Sequence, residues 1–281
     1  MKTDVIVGVD IGGTSIGAGC IVNKKIEKTY SLPTGADRSA EEILQTLYEV
    51  IEKVMLPETK AIGVGVPGLI NANKGEIVKI ANIPAWNGLR LIEKLSGRFN
   101  VPVYMENDAN CFALGEKHFG KGQKYDNMVA IALGTGVGGG IIMNNKLCSG
   151  LFGGAGEVGH LPYKDNILEV YCGSGFFTKI NNTTGKALFD KAMEGDKNAL
   201  ELFNEFGHHI GKLIKTILYI LAPEAIILGG SISKSFPLFK AGIHEEIADF
   251  PFDVMIDVIA IEQSELENIA ILGAAGLYYN A

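Results

Sequence analysis

Val5-Ile6-Val7-Gly8-Val9-Asp10-Ile11-Gly12-Gly13-Thr14 opens the chain and is followed by small and apolar residues from Ile16 to Val22. A β-rich run ends in an acid and two glycines, and a second apolar run follows. The stretch therefore reads as strand, tight glycine turn, strand. Met128 to Leu133 repeats the arrangement, leading into Gly134-Thr135-Gly136-Val137-Gly138-Gly139-Gly140, a second strand at Ile141-Ile142-Met143 and a turn at Asn144-Asn145. Two copies roughly 120 residues apart predict a duplicated architecture with one phosphate loop per domain.

Working outward, Val22-Asn23-Lys24-Lys25 closes a further turn. Glu41 to Val54 carries Ile43, Leu44, Leu47, Val50, Ile51 and Val54 at helical spacing. Ala61 to Val66 is a short buried strand that ends at Pro67-Gly68. Val103-Tyr104-Met105 delivers Glu106-Asn107-Asp108-Ala109-Asn110 to the start of a helix spanning Ala109 to His118. Asn198 to Leu221 has the period of one or two buried helices, with Gly207 and Gly211 allowing close approach and Pro223 as the stop. Ala225 to Leu228 is a strand ending in Gly229-Gly230-Ser231, and Ile269 to Tyr278 is a final helix. No low-complexity linker divides the halves.

The bulk properties narrow the function. A length of 281 residues is comfortable for two domains, and 47% hydrophobic with 20% charged residues excludes a disordered chain. The net charge of −7 comes with no Lys/Arg block, so a nucleic-acid partner is not expected. An anionic substrate remains open, because backbone N–H groups can hold phosphate without lysine. Cys20, Cys111, Cys148 and Cys172 form no CxxC pair and read as reduced thiols. Met1-Lys2-Thr3-Asp4 runs straight into a strand, without a signal peptide. The apolar stretch Leu213 to Ala222 is interrupted by Lys215 and is too short for a bilayer. A cytoplasmic protein without membrane contact is the expectation.

Each motif points to chemistry. Glycines in the turn after Asp10 expose N–H groups to a phosphate, and an acid at a strand end can orient Mg²⁺ and its waters. Gly134 to Gly139 fits the dinucleotide fingerprint G-x-G-x-x-G, but that fingerprint needs a helix directly after the turn, and here a strand follows. A nicotinamide cofactor is excluded on that ground, while phosphate binding by the loop is retained. Leu228-Gly229-Gly230-Ser231 gives bare backbone on which an adenine can lie. A carboxylate in Glu106 to Asn110, at a strand-to-helix junction, can reach a cleft, and the polar cluster exceeds what an N-cap requires. Gly153-Gly154-Ala155-Gly156-Glu157-Val158-Gly159-His160 sets an acid and an imidazole three apart, suited to adjacent hydroxyls of a sugar ring.

Taken in order, Asp10-Ile-Gly-Gly-Thr14, Gly65-Val-Pro-Gly68, Asn82-Ile-Pro-Ala-Trp86, Glu106-Asn-Asp-Ala-Asn110, Leu133-Gly-Thr-Gly-Val-Gly-Gly-Gly140, Gly156-Glu-Val-Gly-His160 and Ile227-Leu-Gly-Gly230 resemble the ROK family, and most of all its bacterial hexokinases. The resemblance covers essentially the whole chain. It implies an α/β, two-domain actin-like ATPase (ribonuclease H-like) fold with the active site in a cleft between the domains. Residues 1–109 plus 269–281 would form the first domain and residues 110–268 the second. Asp108 would be the catalytic base. Gly68, Asn82, Asn107, Asp108, Glu157 and His160 would hold the sugar. Asp10, Gly12, Gly13, Thr14, Gly134, Thr135, Gly136, Gly229 and Gly230 would surround ATP, with Asp10 on Mg²⁺ directly or through water. The resemblance also suggests a homodimer formed mainly by the second domain.

The chain departs from the family at Val170-Tyr171-Cys172-Gly173-Ser174-Gly175-Phe176-Phe177. Members with structural zinc carry C-x-C-G-x-x-G-C-x-E here, with His160 as the first ligand. Only Cys172 remains, so three thiolates cannot be supplied and no structural zinc is expected. Thr178 stands where the family's sugar-binding glutamate is expected, and Glu169 is a candidate substitute.

The expected reaction is in-line phosphoryl transfer from ATP to a hexose hydroxyl, with Asp108 taking the proton and domain closure excluding water. Glucose is the first choice of sugar; N-acetylmannosamine, fructose, allose or a β-glucoside are the alternatives. A sugar-responsive transcriptional regulator of the same family is the rival class, but nine residues before Asp10 are too few for a helix-turn-helix. An actin-like or chaperone-like ATPase would not need the Glu157 and His160 pair.

Overall fold

A computed structural model of the chain describes residues 4–281. In order, its elements begin with β1 (Val5–Ile11), β2 (Ser15–Val22), β3 (Lys25–Pro33), α1 (Ala40–Val54), β4 (Ala61–Val66), β5 (Leu69–Asn71) and β6 (Glu76–Lys79). Next come α2 (Leu91–Phe99), β7 (Val103–Asn107), α3 (Asp108–Phe119), β8 (Met128–Leu133), β9 (Val137–Met143) and β10 (Lys146–Leu147). The remainder is β11 (Pro162–Tyr163), β12 (Asn166–Ile167), α4 (Leu168–Cys172), α5 (Gly185–Met193), α6 (Lys197–Leu221), β13 (Ala225–Gly229), α7 (Phe236–Ile247), α8 (Asp253–Ile256), β14 (Ala260–Gln263) and α9 (Ile269–Asn280).

Two five-stranded mixed sheets organise the chain, in the orders β3-β2-β1-β4-β7 and β10-β9-β8-β13-β14. β1 pairs antiparallel with β2 and parallel with β4, and β4 pairs parallel with β7. In the second sheet β13 lies parallel between β8 and β14. The chain divides into two compact units, residues 4–124 with 140–155 and 266–281, and residues 125–139 with 156–265.

In the first unit, β1 and β4 are buried almost throughout, which explains their unbroken apolar runs. One face packs on α1, whose Ile43, Leu47, Val50 and Ile51 are fully buried. Ser39 and Glu42 form a reciprocal capping box at the start of that helix. The other face receives α9. Gly8 and Gly63 bring the sheet so close to this helix that a Cβ on either would meet the carbonyl oxygens of Ile271 and Ala274. Val64 and Val66 on β4, with Met105 on β7, complete the core beneath the strand ends.

In the second unit, α6 is one continuous helix capped by Asp196, whose side chain accepts from the Ala199 N–H at 2.8 Å. Gly207 lets α7 approach its backbone closely. Phe203, Phe206, Phe239, Phe176 and Phe177 are all buried to 1% exposure or less and form one aromatic core. Phe206 lies 5.3 Å from Phe176 and 5.2 Å from Phe177, ring centre to ring centre.

Candidate active site

In the first unit, the turn after β1 is tied down by Thr34, a buried residue just past β3. The Thr34 N–H donates to the Thr14 carbonyl at 2.9 Å, and its hydroxyl donates to the Gly12 carbonyl at 2.6 Å. The Gly12 N–H closes the hairpin on the Ser15 carbonyl at 2.9 Å. Gly13 packs on Asn82, where an added Cβ would stand 2.7 Å from the Asn82 Cβ. Asn82 is in turn placed by its neighbours. Ile83 and Trp86 are fully buried, and the Trp86 indole donates to the Ala40 carbonyl at 3.1 Å. The turn expected to face phosphate and the asparagine expected to hold sugar are thus one packed structure.

Beside them stands the junction of β7 and α3. Asn107 is the N-cap of α3, its side-chain oxygen accepting from the Ala109 and Asn110 N–H groups at 2.8 and 3.3 Å. Its amide donates to the Gly68 carbonyl at 3.1 Å, and Gly68 holds a left-handed φ of 98°. Capping and site geometry are therefore carried by the same residue. Asp108 opens the helix as an exposed carboxylate, one oxygen accepting from the Ala109 N–H at 2.9 Å. Asp10 at the end of β1 is close enough to feel it: burial first, and then the Asp108 charge, push the Asp10 carboxyl up to about 6.

Glu106 is a member of this group that the sequence did not single out. Its buried carboxylate accepts from the Asn107 N–H at 2.8 Å, from the Asn110 amide at 3.2 Å and from the Ser149 hydroxyl at 2.7 Å. Asn110 also donates to the Gly153 carbonyl at 3.0 Å. The start of α3 is thereby clamped to the loop at residues 149–153. Partners 43 residues away leave no local signal in the sequence.

The second unit holds the other expected residues. The Gly134-Thr135-Gly136 turn closes through the Gly134 N–H on the Gly136 carbonyl at 3.0 Å. Gly230, at the end of β13, has a left-handed φ of 82° and abuts the Leu133 carbonyl just before that turn. Gly229, Gly230 and the Gly134 to Gly136 turn are thus adjacent. Glu157 and His160 are exposed side chains joined by a contact of 3.1 Å between Oε2 and Nδ1. Their loop lies on the start of β9, where the Gly139 N–H donates to the Gly156 carbonyl at 3.0 Å.

Glu169 sits on the Gly134 to Gly136 turn, where its Oε2 accepts from the Val137 N–H at 3.1 Å. Cys172 is fully buried, burial pushing its thiol well up, and its Sγ donates to the His209 carbonyl at 3.4 Å.

A family model described as the ROK family matches residues 6–281. The chain is 30% identical to the glucokinase of Thermotoga maritima, over 97% of this chain and 96% of that one. It is 34% identical to the N-acetyl-D-glucosamine kinase of Pasteurella multocida, over 83% and 86%. Among solved structures, a ROK family glucokinase from Streptomyces griseus in complex with glucose and AMPPNP matches with a TM-score of 0.80 at 27% identity, covering 97% of this chain and 98% of that one. The likeness bears out the two-domain actin-like α/β class.

Proposed function

The chain belongs to the ROK family as one of its ATP-dependent sugar kinases, and from that premise we propose that it transfers the γ-phosphoryl group of ATP to the 6-hydroxyl of glucose. The observation that carries the reading is the junction at Asn107 and Asp108. β7 delivers a capping asparagine bonded to the Gly68 carbonyl and then an exposed carboxylate, in the same unit as the Asp10 to Thr14 turn. Asp108 accepts the proton of the attacking hydroxyl. Asn82, Asn107, Gly68, Glu157 and His160 hold the sugar. Gly12, Gly13, Thr14, Gly134, Thr135, Gly136, Gly229 and Gly230 lie around the nucleotide.

Asp10 fits a magnesium ion. Its carboxyl is raised to about 6 by burial and by Asp108, and a bound cation would relieve both effects. Bound with the nucleotide, Mg²⁺ would neutralise phosphate charge. Asp10 would hold the ion directly or through water.

A hexose panel read by ADP release tests the substrate. Glucose should give the highest kcat/KM. An N-acetylated hexosamine is the second reading, favoured by the 34% identity to the Pasteurella multocida enzyme. A kcat/KM for N-acetylglucosamine or N-acetylmannosamine above that for glucose would replace the first reading with it. Assembly as a homodimer through the second unit is part of the proposal. Light scattering that reports a monomer near 30.1 kDa at micromolar concentration would remove it.

A further inference from the structure

Glu169 lies at the start of α4, directly before the segment Val170 to Phe177 in which the chain departs from the resemblance. It is turned onto the phosphate turn: its Oε2 takes the Val137 N–H at 3.1 Å, and a Cβ on Gly136 would fall 2.6 Å from the same oxygen. Ser174, just past α4, adds two contacts. Its N–H donates to the Gly134 carbonyl at 2.9 Å and its hydroxyl to the Thr135 carbonyl at 3.3 Å. One short segment therefore holds consecutive peptide groups of the turn.

The direction of these bonds matters. In a planar trans peptide the C=O and the following N–H point opposite ways. Drawing the Gly134 and Thr135 carbonyls toward Ser174 aims the Thr135 and Gly136 N–H groups away from it. Those two N–H groups have no protein partner among the described residues. Glu169 takes the next N–H, that of Val137, and so ends the run. Consecutive outward N–H groups of this kind form an anion-binding concavity.

The segment is itself braced from below. The Gly173 N–H donates to the Glu169 carbonyl at 2.9 Å, Cys172 Sγ to the His209 carbonyl at 3.4 Å, and Phe176 and Phe177 are fully buried in the aromatic core.

We propose that Glu169 and Ser174 are positioning residues that preset the Thr135 and Gly136 N–H groups for the phosphates of the nucleotide. This rests on the reading of the turn as a nucleotide site. It also gives Glu169 a role distinct from that of a sugar ligand.

The test is calorimetry on the full chain with AMPPNP and Mg²⁺, and separately with the sugar turned over fastest in the hexose panel. Glu169→Ala should weaken AMPPNP binding about tenfold, the scale of one hydrogen bond to a charged group. Sugar affinity should stay within about twofold. Glu169→Gln, whose amide oxygen can accept the same N–H, should recover most of the loss. Ser174→Ala should weaken AMPPNP binding about threefold, as a neutral hydrogen bond would. Unchanged AMPPNP affinity in Glu169→Ala, or equal losses for nucleotide and sugar, would overturn the assignment. If Glu169→Ala does not fold, unchanged affinity in Ser174→Ala overturns it in the same way. A wild-type chain that binds no AMPPNP would instead sink the nucleotide reading of the turn, and the positioning role with it.

Discussion

The Gly13 backbone lies directly against the Asn82 side chain, such that a Cβ on Gly13 would lie 2.7 Å from the Asn82 Cβ. The turn expected to face phosphate and the residue expected to hold sugar thereby share one packing surface. Asn82 cannot retreat freely, because Ile83 and Trp86 next to it are fully buried.

Gly13→Ala should therefore strain the turn and the Asn82 side chain against each other, a local displacement rather than an unfolding of the protein. Displacing a positioning group by about 1 Å can cost about 10²-fold in rate. We expect kcat/KM for the sugar to fall by more than about tenfold while the melting temperature changes by only a few degrees. Steady-state kinetics with the sugar varied at saturating ATP would check this. Unchanged kcat/KM would mean that the contact has no bearing on the reaction.

Asp108→Asn should retain the fold and sugar binding, since the amide oxygen can still accept the Ala109 N–H that Asp108 accepts at 2.9 Å. Turnover should fall by at least ~10²-fold, the scale of a general base. Near-normal kcat in the purified, folded variant would remove Asp108 from the mechanism.

The legible parts of the chain were those with short-range signals. The strand, glycine turn and strand of residues 5–22 follow from apolar runs broken by Gly12 and Gly13, and α1, α6 and α9 follow from their apolar content and stop signals. β3 was read only as a turn at residues 22–25. It is an edge strand on which only Ile26, Tyr30 and Leu32 are half-buried between exposed positions, and exposed Lys28 interrupts that alternation. α2 was not read at all. Just two of its residues, Leu91 and Leu95, are buried.

At the site, Asp10, Asn107 and Asp108 stood out because their motifs are contiguous. Thr34, Glu106 and Ser149 did not, because each acts on a partner brought near only by folding. In the sequence Glu169 is a candidate substitute for the absent sugar-binding glutamate, whereas its contact is with Val137, 32 residues earlier.

His209 makes stability depend on pH. Its side chain is 5% exposed, and its Nδ1 shares a hydrogen with the Tyr163 hydroxyl at 3.0 Å. Burial first, then Lys164 and His208, lower its pKa to about 4, with Glu246 acting the other way and Glu205 lying 3.7 Å from Nε2. Burial, then Lys24 and Lys117, likewise bring His118 to about 4. In the unfolded chain both imidazoles titrate near their ordinary value of about 6.5. Between these limits the unfolded state binds more protons at these two groups, so their contribution to stability rises with pH and is lost as pH falls from about 6.5 toward about 4, offset in part by Asp10, whose raised value of about 6 acts in the opposite direction. The melting temperature should drop over that window, and His209→Gln should flatten the dependence relative to wild type. An equally steep profile in the variant would rule out His209 as a contributor.

The aromatic core under α4 bears on the metal. To within one residue of alignment, the family resemblance sets Val170 and Phe177 at positions where thiolates are expected, and we propose that packing replaces them. Phe177 is buried to 1% exposure against Phe203 and Phe206, with ring centres 5.8 and 5.2 Å away. Phe176 packs edge-on to it at 5.3 Å, and Tyr171 lies 5.1 Å from His209. Hydrophobic burial can then hold the loop without zinc. Phe177→Ala should cost ~3–5 kcal/mol, the range for emptying a buried aromatic site. Chelator added without Mg²⁺ should leave the wild-type melting temperature unchanged, because no folding energy would come from a bound metal. Stoichiometric zinc by elemental analysis, with unfolding on its removal, would falsify this account and require ligands outside Val170, Cys172 and Phe177.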